Sequence, residues 1–265
     1  MASKTQSVVS HDTVFAILVS ISACHLLNDM MQSLLPAIYP ALKTDLRLSF
    51  GQIGLISFVY QFTASILQPL VGLYADRKPT PLALPFGTLF SLAGLAVLSV
   101  AHAYWVVLVG ASLLGMGSST FHPESSRVAR MAAGPRRGLA QSMFQVGGTT
   151  GQALGPLAAA LIVVRWGQSS LSFFALLALL SGAILWNVSR WYKDHGLERL
   201  GGGGKTTELV TLPRRTLKFT LLSACVTPYV FEMSTARRTT SSVGVASGST
   251  SGRVTAQSRR RRAGC

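Results

Sequence analysis

Charge is scarce in this chain. Of its 265 residues only 12% are charged, where soluble domains average roughly 25%, and nine acidic residues face 24 Lys and Arg. That scarcity excludes a soluble domain of this size, whose surface would carry more charge. Cysteine is scarcer still: Cys24, Cys225 and Cys265 give neither a disulfide framework nor a metal-ligand spacing. None of the apolar runs reads as a cleavable signal peptide, because the first is too long and lacks a small-residue cleavage site.

What the chain does have is apolar length. Six stretches, at about 13–40, 50–75, 81–101, 105–126, 139–164 and 170–191, come near the roughly 20 residues that cross a bilayer. The expected fold class is therefore an all-α membrane protein, a bundle of six transmembrane helices over residues 13–192, preceded by a cytoplasmic arm at 1–12. The net charge of +15 does not imply a nucleic-acid partner, because its distribution follows the connections between spans. Lys4, Arg77, Lys78, Arg127, Arg130, Arg136, Arg137 and Arg190 fall at one set of span ends, and Lys43, Arg47 and Arg165 at the other. By the positive-inside rule the amino terminus and the segment after the sixth span are both cytoplasmic.

Polar residues inside the spans mark where chemistry is to be sought, since lipid makes them costly. In the first span His25, Asn28, Asp29 and Gln32 recur at i, i+3, i+4 and i+7, one helical face that suits a water-filled cavity or a polar seam between helices. Pro36 and Pro40 bend or end its outer part. The third span carries no charge and reads as packing. The fourth carries Gly110, Gly115 and Gly117, then His122, Glu124, Arg127 and Arg130. In the fifth, Gly147, Gly151 and Gly155 form one stripe that admits a close neighbour, Pro156 adds a kink, and Gln141 and Gln145 lie one turn apart. Trp186, Trp191 and Tyr192 make an aromatic belt at the inner end of the sixth span.

Composition changes after Tyr192. Residues 193–215 read as a charged cytoplasmic linker whose GGGGKTT imitates a phosphate-binding loop, but Arg199 stands where that motif needs glycine and no strand precedes it. A seventh apolar segment starts at 216–230 and is broken by Thr227 and Pro228. The basic tail at 231–265, rich in Ser, Thr, Arg and Gly, has too few large apolar residues to fold and is expected to be disordered.

CHLLNDMMQSLLPAIYP in the first span, GLYADRK after the second, GSSTFHPESSRVARMA in the fourth, AQSMFQVGG with GQALGP in the fifth and SRWY closing the sixth together resemble the amino-terminal half of a major facilitator superfamily transporter, of the fosmidomycin-resistance efflux type. The resemblance runs over about residues 13–218. It implies a twelve-helix fold of two six-helix bundles in the bacterial inner membrane, a substrate cavity between the halves, and outward movement of small molecules, phosphonate antibiotics among them, against inward protons. It implies no cofactor or metal beyond the proton gradient and no enzymatic activity. The superfamily's latch after the second helix resembles Gly72, Asp76 and Arg77, with its later glycine replaced by Pro79; its antiporter motif in the fifth resembles Gly151, Gly155 and Pro156. A full transporter would continue into helices seven to twelve, so a frame change near residue 222 and an inactive half-transporter form the alternative expectation. Pairing of two copies ranks low, because the family's cavity is built from unlike halves.

Depth sorts the candidate proton carriers. At about 1.5 Å per residue from an inner start near Val14, His25 lies roughly 16 Å and Asp29 roughly 22 Å into a core about 30 Å thick. The fourth span runs the other way, and counting from Trp105 puts Glu124 roughly 28 Å down, at the inner mouth. A carboxyl group in a partly dry cavity takes up a proton more readily than one in water. Asp29 with His25 is thus the expected proton site, with Asn28, Gln32, Gln141 and Gln145 around it. His122, Glu124, Arg127 and Arg130 are expected to form an inner gate. A small intramembrane enzyme using His122 and Glu124 is the remaining class, and it lacks a nucleophile or metal set with matching spacing.

Overall fold

A computed structural model of the chain describes residues 12–78 and 80–196. All belong to the first of the two units into which the chain divides, Met1–Val210 and Thr211–Cys265. The expected arm up to residue 11, the linker from residue 197, the aborted seventh helix, the basic tail and Pro79 lie outside the described residues, as do the side chains of Asp76 and Arg77.

Every regular element among the described residues is helical: α1 Phe15–Ala37, α2 Tyr39–Asp45, α3 Phe50–Arg77, α4 Ala83–Ser99, α5 Tyr104–Ala132, α6 Arg137–Ala158, a closing turn α7 Val164–Trp166, and α8 Leu171–Trp191. Five of the helical runs are long and apolar enough to cross a membrane, and α4 is a shorter apolar helix. The third span thus comes out shorter than its apolar run: the 17 residues of α4 reach about 26 Å, close to the thickness of the hydrocarbon core.

Local chemistry sets the ends. α1 stops one residue after Pro36, and Pro40 stands in the first turn of α2, where its missing N–H costs nothing. Ser49 and Gln52 form a reciprocal capping box that starts α3, satisfying two of its orphan donors. The start of α1 is tied to the end of α5, Val14 N–H donating to the Ala132 carbonyl at 2.9 Å and the Thr13 hydroxyl to that of Ala133 at 2.8 Å. Beyond Pro156 the α6 ladder passes into a π-helical stretch, Ala159–Val163, and Gly167, at φ +79°, makes the turn into α8.

The core consists of two apolar clusters. One holds Met31 and Leu35 of α1, Leu95 of α4, Leu114 of α5, Val163 and Phe174; the other holds Leu18 and Ile21 of α1, Leu84 of α4, Phe121 and Val128 of α5, Phe144 of α6 and Leu185 of α8. α1, α4 and α6 begin in the second cluster and run to the first, whereas α5 and α8 run back. Where α1, α4, α5 and α8 pass between the clusters they carry buried polar residues: His25, Asn28 and Asp29 on α1, Thr88 and Ser91 on α4, Ser118 and Ser119 on α5, and Ser181 on α8. The bundle therefore has a polar layer across its middle. Tyr192 departs from the expected aromatic belt and packs, fully buried, in the second cluster, leaving Trp186 exposed.

Helix contacts follow the glycines. Cβ atoms added at Gly147, Gly151 and Gly155 would strike the α1 backbone at Ser22, Leu26 and Met30, so the α6 stripe lies directly on α1. Gly110 and Gly117 of α5 face α4, and Gly115 faces α3 at Tyr60 and Thr63.

Candidate functional site: a buried His–Asp–His cluster

The polar layer converges on Asp29. Its Oδ1 lies 3.5 Å from Nε2 of His25, one turn away on α1, and 3.7 Å from Nε2 of His122 on α5. The same oxygen accepts from Asn28 Nδ2 at 3.2 Å, and Oδ2 accepts from Gln152 Nε2 of α6 at 2.8 Å. His25 and Asp29 are almost closed off, with side chains 5% and 4% exposed, whereas His122 is 28% exposed.

His25 is held firmly. Its Nδ1 lies 2.7 Å from the Phe144 carbonyl, its ring stacks on Phe144 at 3.9 Å between centroids, and a Cβ at Gly148 would stand 2.6 Å from its Nε2. A carbonyl only accepts, so Nδ1 carries the proton, and in neutral His25 the Nε2 facing Asp29 is a bare lone pair. Lone pair and carboxylate repel unless one more proton lies between them.

Three expectations change here. His122, assigned to the inner gate by depth, instead joins Asp29. α5 has 29 residues, about 43 Å of helix, and so outruns the hydrocarbon core; counting from its first residue overstates depth. Gln141, Gln145 and Gln152 are all exposed on α6, and the one that reaches Asp29 is Gln152, which continues their face seven residues past Gln145. Gln32 leaves the Asp29 group: its Oε1 accepts from Tyr60 Oη and Ser118 Oγ, each at 2.9 Å, and so ties α1 to α3 and α5.

The remaining gate residues separate. Glu124 is fully buried, and Arg130 is exposed, donating to Ser126 Oγ at 3.2 Å. Arg127 is buried and its Nη1 donates to the Ala75 carbonyl in the last turn of α3, where a cation suits the helix end. Gly72 of the expected latch lies against Pro123, a Cβ there meeting the proline at ordinary contact distance. Arg127→Ala is expected to lower stability by about 1.5–3 kcal/mol, the worth of a hydrogen bond to a charged group. Thermal unfolding of the detergent-purified protein measures it, and an unchanged midpoint would show that the bond contributes nothing.

The sequence profile of the Major Facilitator Superfamily matches residues 21–250. The chain belongs to this superfamily. It is 49% identical over 215 residues to the fosmidomycin resistance protein of Escherichia coli (strain K12), covering 81% of this chain and 52% of that protein. It is 46% identical over 180 residues to an uncharacterized MFS-type transporter, YfnC, of Bacillus subtilis (strain 168), covering 68% of this chain and 44% of that protein. The chain thus spans about half the length of the curated relatives it matches. As a multi-pass helical membrane protein of a transporter superfamily, it places its His–Asp–His cluster in the middle of a six-helix half.

Proposed function

We propose that the chain supplies the amino-terminal half of a proton-coupled efflux transporter for small molecules, phosphonate antibiotics of the fosmidomycin kind among them. The observation that carries the reading is Asp29, a carboxylate buried at mid-bundle and paired with a histidine whose free nitrogen leaves room for one proton. A fixed negative charge in this layer is costly; protonation removes it, and deprotonation restores it. A substrate cavity that opens alternately to the two sides can use that difference to couple proton entry to export. His25 and Asp29 hold the proton, Asn28 and Gln152 orient the carboxylate, and His122 stands between the pair and solvent. The proton gradient is the energy source. Arg127 and the stripe of Gly151 and Gly155 set how α3 and α6 pack on their neighbours.

Charge placement supports an inner-membrane orientation with a cytoplasmic amino terminus. The α1 start and the α8 end share one end of the bundle with Arg130, Arg136, Arg137 and Arg190, while Lys43, Arg47 and Arg165 lie at the other, the bias of the positive-inside rule.

The test is a chimaera in which this chain replaces the matching portion of the Escherichia coli fosmidomycin resistance protein, expressed in a fosmidomycin-sensitive strain. Growth at antibiotic concentrations that stop the vector control is expected. A chimaera present in the membrane at the parent's level that gives no added tolerance would sink the proposal.

A further inference from the structure

Three potential ligand atoms, one each from His25, Asp29 and His122, lie within 4.8 Å of one another. We propose that they form a binding site for a single first-row transition-metal dication, with zinc the best match. The proposal rests on the cluster's geometry and not on the transport reading.

Distances come first. A tetrahedral zinc with bonds of about 2.0–2.1 Å to nitrogen and 2.0–2.2 Å to oxygen sets its ligand atoms about 3.4 Å apart. Asp29 Oδ1 already stands 3.5 Å from one histidine Nε2 and 3.7 Å from the other. The remaining closure falls to His122, whose side chain makes no hydrogen bond among the described residues and whose ring meets His25 edge-on at 5.3 Å between centroids. Its partial exposure also gives an ion a way in.

The surroundings are those of a metal ligand set. Ligating histidines donate their second nitrogen to a carbonyl or carboxylate, which fixes the tautomer; His25 Nδ1 does so to Phe144, presenting the Nε2 lone pair to Asp29. The non-ligating oxygen of Asp29 is held by Gln152. Two imidazoles and one carboxylate favour zinc and its late first-row neighbours, whereas magnesium and calcium require oxygen shells of six or more. Three protein ligands leave a fourth position for water. The carboxylate offsets part of the buried dication's charge. A dication so held also pins α1 to α5 at the polar layer.

Cobalt(II) reports such a site directly. The detergent-purified chain is titrated with Co²⁺ and its visible absorption recorded. One equivalent is expected to raise the intense bands of four- or five-coordinate cobalt, which stoichiometric Zn²⁺ bleaches and excess Mg²⁺ leaves alone. His122→Gln and Asp29→Asn are each expected to lose these bands while the helical circular-dichroism signal stays unchanged. Gln152→Ala is expected to keep them at an affinity lower by about 10–100-fold, the usual cost of removing a ligand's supporting hydrogen bond. Only pale octahedral spectra in the wild-type chain, or bands of equal intensity in His122→Gln and Asp29→Asn, would overturn the site. The readout needs no transport, so it stands or falls separately from fosmidomycin tolerance.

Discussion

Asp29→Asn in the chimaera is expected to leave the bundle folded and to abolish proton-driven efflux, returning fosmidomycin tolerance to the vector level. The substitution is nearly isosteric, and its one loss is the hydrogen bond from Asn28 Nδ2, which an amide nitrogen at the Oδ1 position cannot accept. The amide oxygen can take the hydrogen bond that Gln152 now donates at 2.8 Å, while the amide nitrogen can donate to the His25 lone pair that faces it at 3.5 Å. Removing a buried ionisable group also removes its desolvation cost, so thermal stability is expected to hold or rise. What disappears is the only described carboxylate in the His25 pair, and with it the proton that the gradient would drive. Everted membrane vesicles separate these effects: substrate exchange without a gradient is expected to continue, and accumulation driven by an imposed pH gradient to stop. Gradient-driven accumulation at the wild-type rate would remove Asp29 from the coupling role.

Much of this site is visible in sequence spacing. The recurrence of His25, Asn28, Asp29 and Gln32 at helical intervals placed four polar groups on one face, and all four are buried in the bundle. Spacing along one helix does not say which neighbour each residue meets. Gln32 belongs to the same face as Asp29, yet one turn of rise carries it to Tyr60 and Ser118. Depth alone sends His122 to the gate because a count from a helix end treats every helix as equally long, and α5 is six residues longer than α1. Gln152 has a readable signal, the i+7 continuation of Gln145, but all three glutamines are exposed and spacing does not say which of them meets Asp29. The polar layer was not legible at all: Thr88, Ser91 and Ser181 are single small hydroxyl residues in apolar spans, and only packing shows that they share a level.

Gly151→Val is expected to have the largest effect on folding. A side chain at Gly151 has nowhere to go: its Cβ would fall against the Leu26 carbonyl oxygen and within 2.9 Å of the Met30 backbone nitrogen. These are backbone atoms of α1, fixed by their own helix hydrogen bonds, so no rotamer change relieves the clash and α6 must move away as a body. That displacement pulls Gln152 from Asp29 and Phe144 from His25, linking the α1–α6 backbone contact to the site's support. Overpacking against side chains costs about 1–3 kcal/mol, and against rigid backbone the loss is expected at or above the top of that range. Gly138→Ala is the control, because a Cβ there meets nothing within 4 Å and alanine at an exposed helical position gains about 0.5–1 kcal/mol over glycine. Thermal unfolding in detergent should therefore show Gly151→Val melting far below wild type or failing to fold, and Gly138→Ala at or slightly above it. Wild-type melting of Gly151→Val would mean that α1 and α6 do not meet along this stripe, and the route by which α6 reaches Asp29 would have to be redrawn.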